Sequence, residues 1–460
     1  MAYAEKRVST AKGSKGKVSW RCRYKKPDGT WGSEDGFPTK TAALAWGKEQ
    51  ESAISAGSWI DPDLQSMAFG TWAREWMASR QKRGRTNSRR WDYLDDYIFP
   101  KWEHTSLNEL NWFDVETWSA SLPCDDVTVG HVVTLMSQIV TGAVDKGYLR
   151  VNPLYGRRRT TKSTSSSATA RKKSSDEEKW ASPEVVLQVA QRLGPAKGLA
   201  VITTAFAGLR LGELFGLHRD NTLLTRRQRD DGDWFECPVI RIDPDRGELA
   251  EYEERDPAGK KLGTVLRLEP PKNEHSVRRV DIPPFLALLL RYHMDDWPHA
   301  HLFCTPNGKF WRRSNWNARY VRPAADGRPE RKKRQGVSPR EAWVPIMPGL
   351  TMRDLRHTHD TYQEQIGVRP ALAHEQAGHK FPGIKGTYQH PTPAMRQVRL
   401  DGLQEIYEQA MANLGWRTLW DRVDLVKRPP QDHLPNISQM ISRSGRRSRR
   451  AALPTRSEAG

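Results

Sequence analysis

Apolar residues recur at two different periods along the chain, and the changes of period mark its organisation. Val18-Ser-Trp-Arg-Cys-Arg-Tyr24 alternates, which predicts a strand. Lys26-Pro-Asp-Gly29 is a turn signal, because proline presets φ and glycine accepts a positive one, and Thr30-Trp-Gly-Ser33 returns as a second strand. Thr39 is placed to cap a helix through Ala42, Ala45 and Glu49. From Asp61 to Arg159 the period becomes helical. Phe69, Trp72, Trp76 and Met77 form one stripe; Trp91, Leu94, Tyr97 and Ile98 form another. Val132, Leu135, Ile139 and Ala143 form a third within Val129–Val144, with Gly147 closing that helix and Asn152-Pro153 ending the domain.

Arg157 to Lys173, RRRTTKSTSSSATARKK, has almost nothing to bury and predicts a flexible basic linker. Beyond it, from about Trp180 to Asn413, helices and strands mix. Pro183–Leu193, Gly198–Leu217, Pro284–Asp295 and Met352–Gln365 predict helices. Val239–Ile242, Thr264–Leu268 and Arg278–Ile282 predict strands of one sheet. The tail after Trp416 carries six arginines and no acid between Arg443 and Arg456, which predicts disorder. The expected order is a small α+β module (1–60), an all-α domain (61–159), a basic linker (160–178), a mainly helical mixed α/β domain with a small antiparallel sheet (179–415) and a basic tail (416–460).

Charge narrows the function. The 460 residues include 74 Lys and Arg against 55 Asp and Glu, a surplus of +19. Such a balance points to a polyanionic partner, nucleic acid or an anionic membrane surface. No stretch approaches the ~20 apolar residues of a membrane span. Met1 to Lys17 is basic with no apolar core behind it, so no signal peptide is expected. Cys22, Cys124, Cys237 and Cys304 lie far apart, which argues against a cysteine zinc site or a disulfide scaffold and suits a reducing cytosol. Arg21, Arg23 and Lys25 are expected exposed on the first sheet beside Trp20, Tyr24 and Trp31. They and the linker's Arg157, Arg158 and Arg159 are candidate DNA contacts.

Single polar residues of the long third domain prove little alone. Arg210 sits in the apolar run Ala207-Gly-Leu-Arg-Leu-Gly-Glu-Leu214, where an ion pair with Glu213 would account for it. Lys272 follows Pro270-Pro271 in a turn, Arg356 lies in Asp354-Leu-Arg-His-Thr-His359, and Gly378-His379 and Tyr388 follow.

In this order the boxes resemble those of the tyrosine recombinase (phage integrase) family. There, two arginines, a hairpin lysine, a histidine of a Gly-His box and a C-terminal tyrosine form one site. The resemblance covers about Met1 to Asn413. It implies Arg210, Lys272, Arg356 and His379 as catalytic residues and Tyr388 as nucleophile, with Tyr362 the next candidate. It also implies an arm-type DNA-binding first module, a helical core-binding (SAM-like) second domain and a tyrosine recombinase catalytic domain. Attachment-site duplex DNA and a homo-tetramer are the implied partners, with an excisionase or host DNA-bending factor beside them. The implied location is the bacterial cytoplasm, on the nucleoid. One position departs: where the family usually has the histidine of its HxxR pair, this chain has Arg353, which cannot serve as a base and either adds positive charge near the phosphate or pairs with a surface carboxylate.

The residue types suit phosphodiester chemistry. Two guanidiniums can clamp non-bridging oxygens, which is the electrostatic work a metal does elsewhere, so no metal and no cofactor are expected. A phenol with a pKa near ~10 is only about one part in a thousand ionised at pH 7, and a cationic pocket lowers that cost. Two other classes compete. A metal nuclease would use His357-x-His359-Asp360, but histidines two apart diverge on a helix. A catalytically silent DNA-binding regulator would keep the fold and lack one of Arg210, Arg356 or Tyr388.

Overall fold

The computed structural model describes residues 1–8, 17–80, 83–160, 179–224, 227–228, 234–235, 238–333, 335–336, 338–380, 391–421 and 423–424. Most of the expected linker, the nucleophile box around Tyr388 and the arginine-rich tail lie outside the described residues. Two compact units result: Met1–Thr164 with Glu253–Gly263, and Ser165–Tyr252 with Thr264–Gly460.

The first unit begins with a three-stranded antiparallel sheet in the order β1 (Tyr3–Val8), β2 (Val18–Lys25), β3 (Trp31–Phe37). Strand β1 goes beyond the sequence expectation, which saw only charge there. It pairs with β2 from Tyr3↔Arg23 to Val8↔Val18. Alternation puts Cys22 and Tyr24 in the interior, beneath α1 (Lys40–Ser55), whose Thr39 cap accepts from Ala42 N at 3.1 Å. The opposite face carries Arg21, Arg23 and Lys25, and here the expectation of free cations needs correction. Arg21 is half-buried and donates to Asp35 at 2.6 Å, and Arg23 pairs with Glu5 at 3.8 Å. Cross-strand carboxylates therefore already hold two of the three.

The unit's second core is helical. The helices α2 (Phe69–Ser79), α3 (Gly84–Tyr93), α4 (Trp112–Ser119) and α5 (Asp126–Asp145) bury the predicted stripes, including Trp72, Trp76, Trp91, Leu94, Val132, Leu135 and Ile139. Helix α5 is long and apolar enough to cross a membrane by length and composition alone. Its Val132, Met136 and Ile139 are instead fully buried among tryptophans, and Trp72 Nε1 donates to Ile139 O at 2.8 Å. Asn152 ends the unit's fold by donating to Thr141 Oγ1 at 2.8 Å and Ser137 O at 2.9 Å. Arg159 is not a free linker cation either: it donates to Asp126 Oδ1 at 2.8 Å, while Arg157 and Arg158 are exposed. The segment Glu253–Gly263 packs in this unit through Arg255, bonded to Asp95 at 2.6 Å and Asp92 at 3.0 Å.

In the second unit, α6 (Pro183–Ala207) is interrupted at Gly194 and followed, after a break, by α7 (Leu211–Phe215). Sequence periodicity joined Gly198 to Leu217 in one helix. The break falls at Gly208, with φ 66°, where a Cβ would stand 2.4 Å from the His359 ring. The expected single sheet is also divided. Strands β4 (Thr222–Leu223), β5 (Val239–Arg241) and β8 (Arg279–Asp281) form an antiparallel sheet in the order β8-β5-β4, whereas β7 (Lys261–Glu269) pairs with β6 (Glu248–Arg255) as a separate hairpin. Around this sheet lie α8 (Pro284–Asp296), α9 (Met352–Gln365), α10 (Pro370–Ala377) and α11 (Pro393–Asn413). Their core centres on Phe206, Phe285, Tyr362 and Tyr407, with Phe285 and Tyr407 stacked at 3.8 Å.

Gly208→Ala combines a left-handed backbone with a steric clash against a buried ring. It is expected to lower the unfolding free energy by about 1–3 kcal/mol, read by urea denaturation of the full chain. A variant as stable as the parent would show that the break does not need glycine.

Candidate active site

Three chain segments far apart in sequence meet at one buried carboxylate. Glu213, on α7, is 1% exposed at its side chain. Arg210 precedes the helix at its N-cap position. Its backbone N–H donates to Glu213 Oε2 at 2.9 Å and its Nη1 to Oε1 at 2.8 Å. Arg278, just before β8, grips the same carboxylate with both Nη atoms at 2.9 Å. Arg356, on α9, approaches Oε2 at 3.9 Å.

The guanidiniums are then aimed by backbone carbonyls. Arg356 donates to Gly208 O, at the break, and to Ala377 O at 2.6 Å. Arg278 Nε donates to Gln376 O at 2.7 Å, and Arg210 reaches Ser276 Oγ at 3.2 Å. The capping box of α9, in which Thr351 and Asp354 exchange bonds, fixes the helix start and with it the phase of Arg356. Helix α10 ends at Gly378 with φ 67°, where a Cβ would stand 2.8 Å from Arg278 Nη1. This tight cap delivers His379 to Arg356, with Nε2 3.4 Å from Nη2.

Electrostatics makes the cluster receptive to an anion. Burial raises the Glu213 carboxyl, but Arg278 and then Arg210 outweigh it and hold it below the usual range, so it is ionised. Among the described residues three guanidiniums surround one buried carboxylate, with Asp360 a lesser counter-charge to Arg356, so the cluster is positive on balance. Arg356 is brought down to about 10, first by burial and then by Arg210. His379 is lowered by desolvation and then by Arg356 and Arg210, which keeps the imidazole neutral at pH 7. Side-chain exposure is 30% for Arg210 and 14% for Arg356 but 4% for Arg278. The first two can therefore meet a ligand, while Arg278 serves the carboxylate.

The remaining expected residues fall less centrally. Lys272 is exposed in the segment between β7 and β8, with no ion pair among the described residues. Arg353 is exposed and donates to His357 Nε2 at 3.4 Å; no described contact joins it to Arg210, Glu213 or His379. Tyr388 lies outside the described residues, but both flanks of its segment are anchored. Asp281 on β8 accepts from Arg396 at 3.0 Å and Arg399 at 2.6 Å, both on α11. Its backbone oxygen accepts from Gln376 on α10 at 3.0 Å. Tyr362 is a poor rival as nucleophile: it is fully buried, its hydroxyl donates to Ala181 O at 2.8 Å, and burial raises its pKa. His359 is likewise interior, with Nδ1 donating to Ala205 O at 3.2 Å, so it is not placed to share a metal with His357. Among the described residues no group of His, Cys, Asp and Glu is arranged to hold a metal ion.

Sequence reasoning missed Glu213 as the hub and Arg278 as its second partner. The signals were present: an acid inside an apolar run and the unusual pair Arg278-Arg279 opening a strand.

No family model matches the chain. A Mycobacterium tuberculosis (strain H37Rv) protein described as a prophage phiRv2 integrase is 23% identical over 382 residues, covering 81% of this chain and 88% of that protein. The integrase of Mycobacterium phage L5 is 21% identical over 385 residues, covering 80% and 90%. Among solved structures, the Tn1549 transposon integrase in complex with transposon right end DNA overlaps with a TM-score of 0.47 at 13% identity, over 73% of this chain and 99% of that one. The sequence relatives bear out the family resemblance read from the boxes, that of the phage integrases.

Two predictions follow from the buried charges. Glu213→Gln leaves three clustered guanidiniums without their counter-charge and is expected to cost about 3–5 kcal/mol of stability, measured by chemical denaturation. A smaller loss than Arg278→Ala would mean that the carboxylate is not the hub. His359 is held at about 3 by burial, against an ordinary value of 6.5. Between those values the unfolded chain binds a proton that the folded chain does not. Stability should therefore fall as pH drops below about 6.5, by at most ~1.4 kcal/mol per unit from this group. His359→Gln should flatten that slope, and an unchanged slope would assign the acid sensitivity to other groups.

Proposed function

We propose that this relative of the phage integrases is a site-specific DNA recombinase that cleaves and rejoins duplex DNA through a 3′-phosphotyrosine. The observation that carries the reading is the convergence of Arg210 and Arg356 on Glu213, with His379 beside Arg356, from three separate segments and with a surplus of positive charge among the described residues.

In this reading the scissile phosphate sits against Arg210 and Arg356. Each donates N–H groups to a non-bridging oxygen, and their pull grows as charge accumulates there in the transition state. The Tyr388 oxygen attacks phosphorus, the P–O5′ bond breaks, and Lys272 from its exposed segment protonates the leaving 5′ oxygen. Neutral His379, beside Arg356, hydrogen-bonds the phosphate or accepts the phenol proton. The ester conserves the bond, so attack by a 5′ hydroxyl from a partner duplex regenerates Tyr388 and joins the strands. This scheme needs no nucleotide and no metal. Exchange between two duplexes requires several copies of the chain, in keeping with a tetramer. The first module, with Lys25 exposed and Arg21 and Arg23 held by carboxylates, is proposed to read distal arm-type sites.

On a nicked suicide duplex from the element's own ends, the wild-type chain should form a covalent protein–DNA adduct, resolved by denaturing gel. Tyr388→Phe should abolish it while leaving DNA binding nearly intact. Arg210→Ala and Arg356→Ala should each slow it by on the order of 10²–10³-fold. A wild-type chain that binds DNA and forms no adduct would favour the silent regulator, and loss of the adduct on chelation would restore a metal.

A further inference from the structure

Between Asp326 and Ile346 the second unit carries an extension that shares no residue with the cluster around Glu213. Its two arms run antiparallel, with bridges Arg328↔Trp343 and Arg331↔Arg340. All four backbone hydrogen bonds of these bridges lie between 2.8 and 2.9 Å. The rungs concentrate cations: Arg328, Arg331, Lys332, Lys333 and Arg340, with Arg192 of α6 beneath them. Trp343 is the floor on which they are built. Arg328 stacks over its ring at 3.3 Å and Arg192 at 5.6 Å.

What these cations bond to matters most. Arg192 donates to Ala324 O at 2.8 Å and Val344 O at 2.7 Å, Arg328 to Glu341 O at 3.2 Å, and Arg331 to Ser338 O at 3.0 Å. These acceptors are neutral carbonyls. Among the described residues, none of Arg328, Arg331, Lys332, Lys333 and Arg340 pairs with a carboxylate. The arginines are near enough to repel one another: the Arg328 guanidinium is destabilised by burial and then by Arg340, Arg331 and Arg192, with Glu341 a weak counterweight. A fold that gathers like charges without neutralising them spends stability on an anion it does not itself contain.

We propose that this extension is a second phosphate-contacting surface, sharing no residue with the pocket around Glu213, which grips the backbone of duplex DNA without reading its sequence. The identity of the polyanion rests on the recombinase reading above. Three features favour nucleic acid over a protein. Among the described residues the exposed positions Glu330, Arg331, Lys332, Lys333, Gln335 and Ser338 are polar or charged, and the exposed Val344 is a single aliphatic side chain rather than the apolar cluster that centres a protein interface. The forked, carbonyl-braced guanidiniums suit phosphate oxygens. A second copy of this chain, itself at +19, offers no net complement.

The test uses the full chain and a fluorescein-labelled random-sequence duplex, with Kd measured by anisotropy across salt concentrations. Each phosphate contact contributes about 0.9 to the slope of log Kd against log salt. Arg331→Gln/Lys332→Gln/Lys333→Gln, confined to exposed side chains, should therefore lower the slope by about 2–3 and weaken binding at least ~10-fold at low salt. A control, Arg241→Gln/Arg246→Gln/Lys309→Gln, removes the same charge from other exposed positions of the unit and should change both much less. Circular dichroism melts of both variants guard against misfolding, and Lys332→Gln/Lys333→Gln alone should give a proportionate fall. An unchanged slope, or an equal fall in the control, would overturn the proposal. Adduct formation by the wild-type chain is scored in parallel. Loss of slope without any wild-type adduct keeps this surface and removes the recombinase reading; an adduct with no change of slope does the reverse.

Discussion

A single buried carboxylate organises the second unit. Glu213 is withdrawn from water, and an isolated ion there would be driven to protonate. It stays ionised because Arg278 holds it from one side and Arg210 from the other, with Arg356 close by. The bonds run both ways. The carboxylate fixes guanidiniums from the break after α6, from the approach to β8 and from α9, so it ties together elements the chain brings from distant positions. Removing either kind of partner leaves the other as an uncompensated buried charge, which is why the cluster behaves as one unit.

Surplus follows from that arrangement. Satisfying Glu213 takes one positive charge, and the site holds three. Arg278 is spent on the carboxylate, while Arg210 and Arg356 retain exposure and are braced by Gly378 O, Gly208 O and Ala377 O. Bracing matters because a preorganised donor loses little entropy when its target charge develops. The same Asp281 that stitches α10 and α11 to β8 anchors both flanks of the segment containing Tyr388. The extension around Trp343 repeats the principle at a surface, with cations held by carbonyls and left without counter-ions.

Much of this was legible in the sequence, for definite reasons. The stripes of α2, α5 and α9 are long and regular, so Met352–Gln365 matched to the residue. Thr39 and Gly147 stand where their local chemistry requires. Strand β1 escaped because its charged residues, Glu5, Lys6 and Arg7, mask a pairing that only β2 reveals. The break at Gly208 escaped because the run around it is apolar at every phase. Its necessity comes from the His359 ring, 151 residues later in the chain, against which the glycine packs. Order and spacing of the polar boxes pointed to Arg210, Arg356 and His379, which the fold brings together. The part of Arg278 was only half legible: the pair Arg278-Arg279 marks an unusual strand start, but nothing beside it says which carboxylate the first arginine meets. Arg353 shows the limit of helical phase: three residues from Arg356, it bonds to His357 and is exposed.

The central claim is that the cation cluster about Glu213 activates a phosphodiester for attack by Tyr388. It is tested most directly by trapping the full-length chain on a nicked duplex, digesting the adduct and locating the attached nucleotide by mass spectrometry. The account predicts a single modified peptide carrying the nucleotide on Tyr388. Attachment at any other residue, or no attachment under conditions where the chain occupies the duplex, would contradict it.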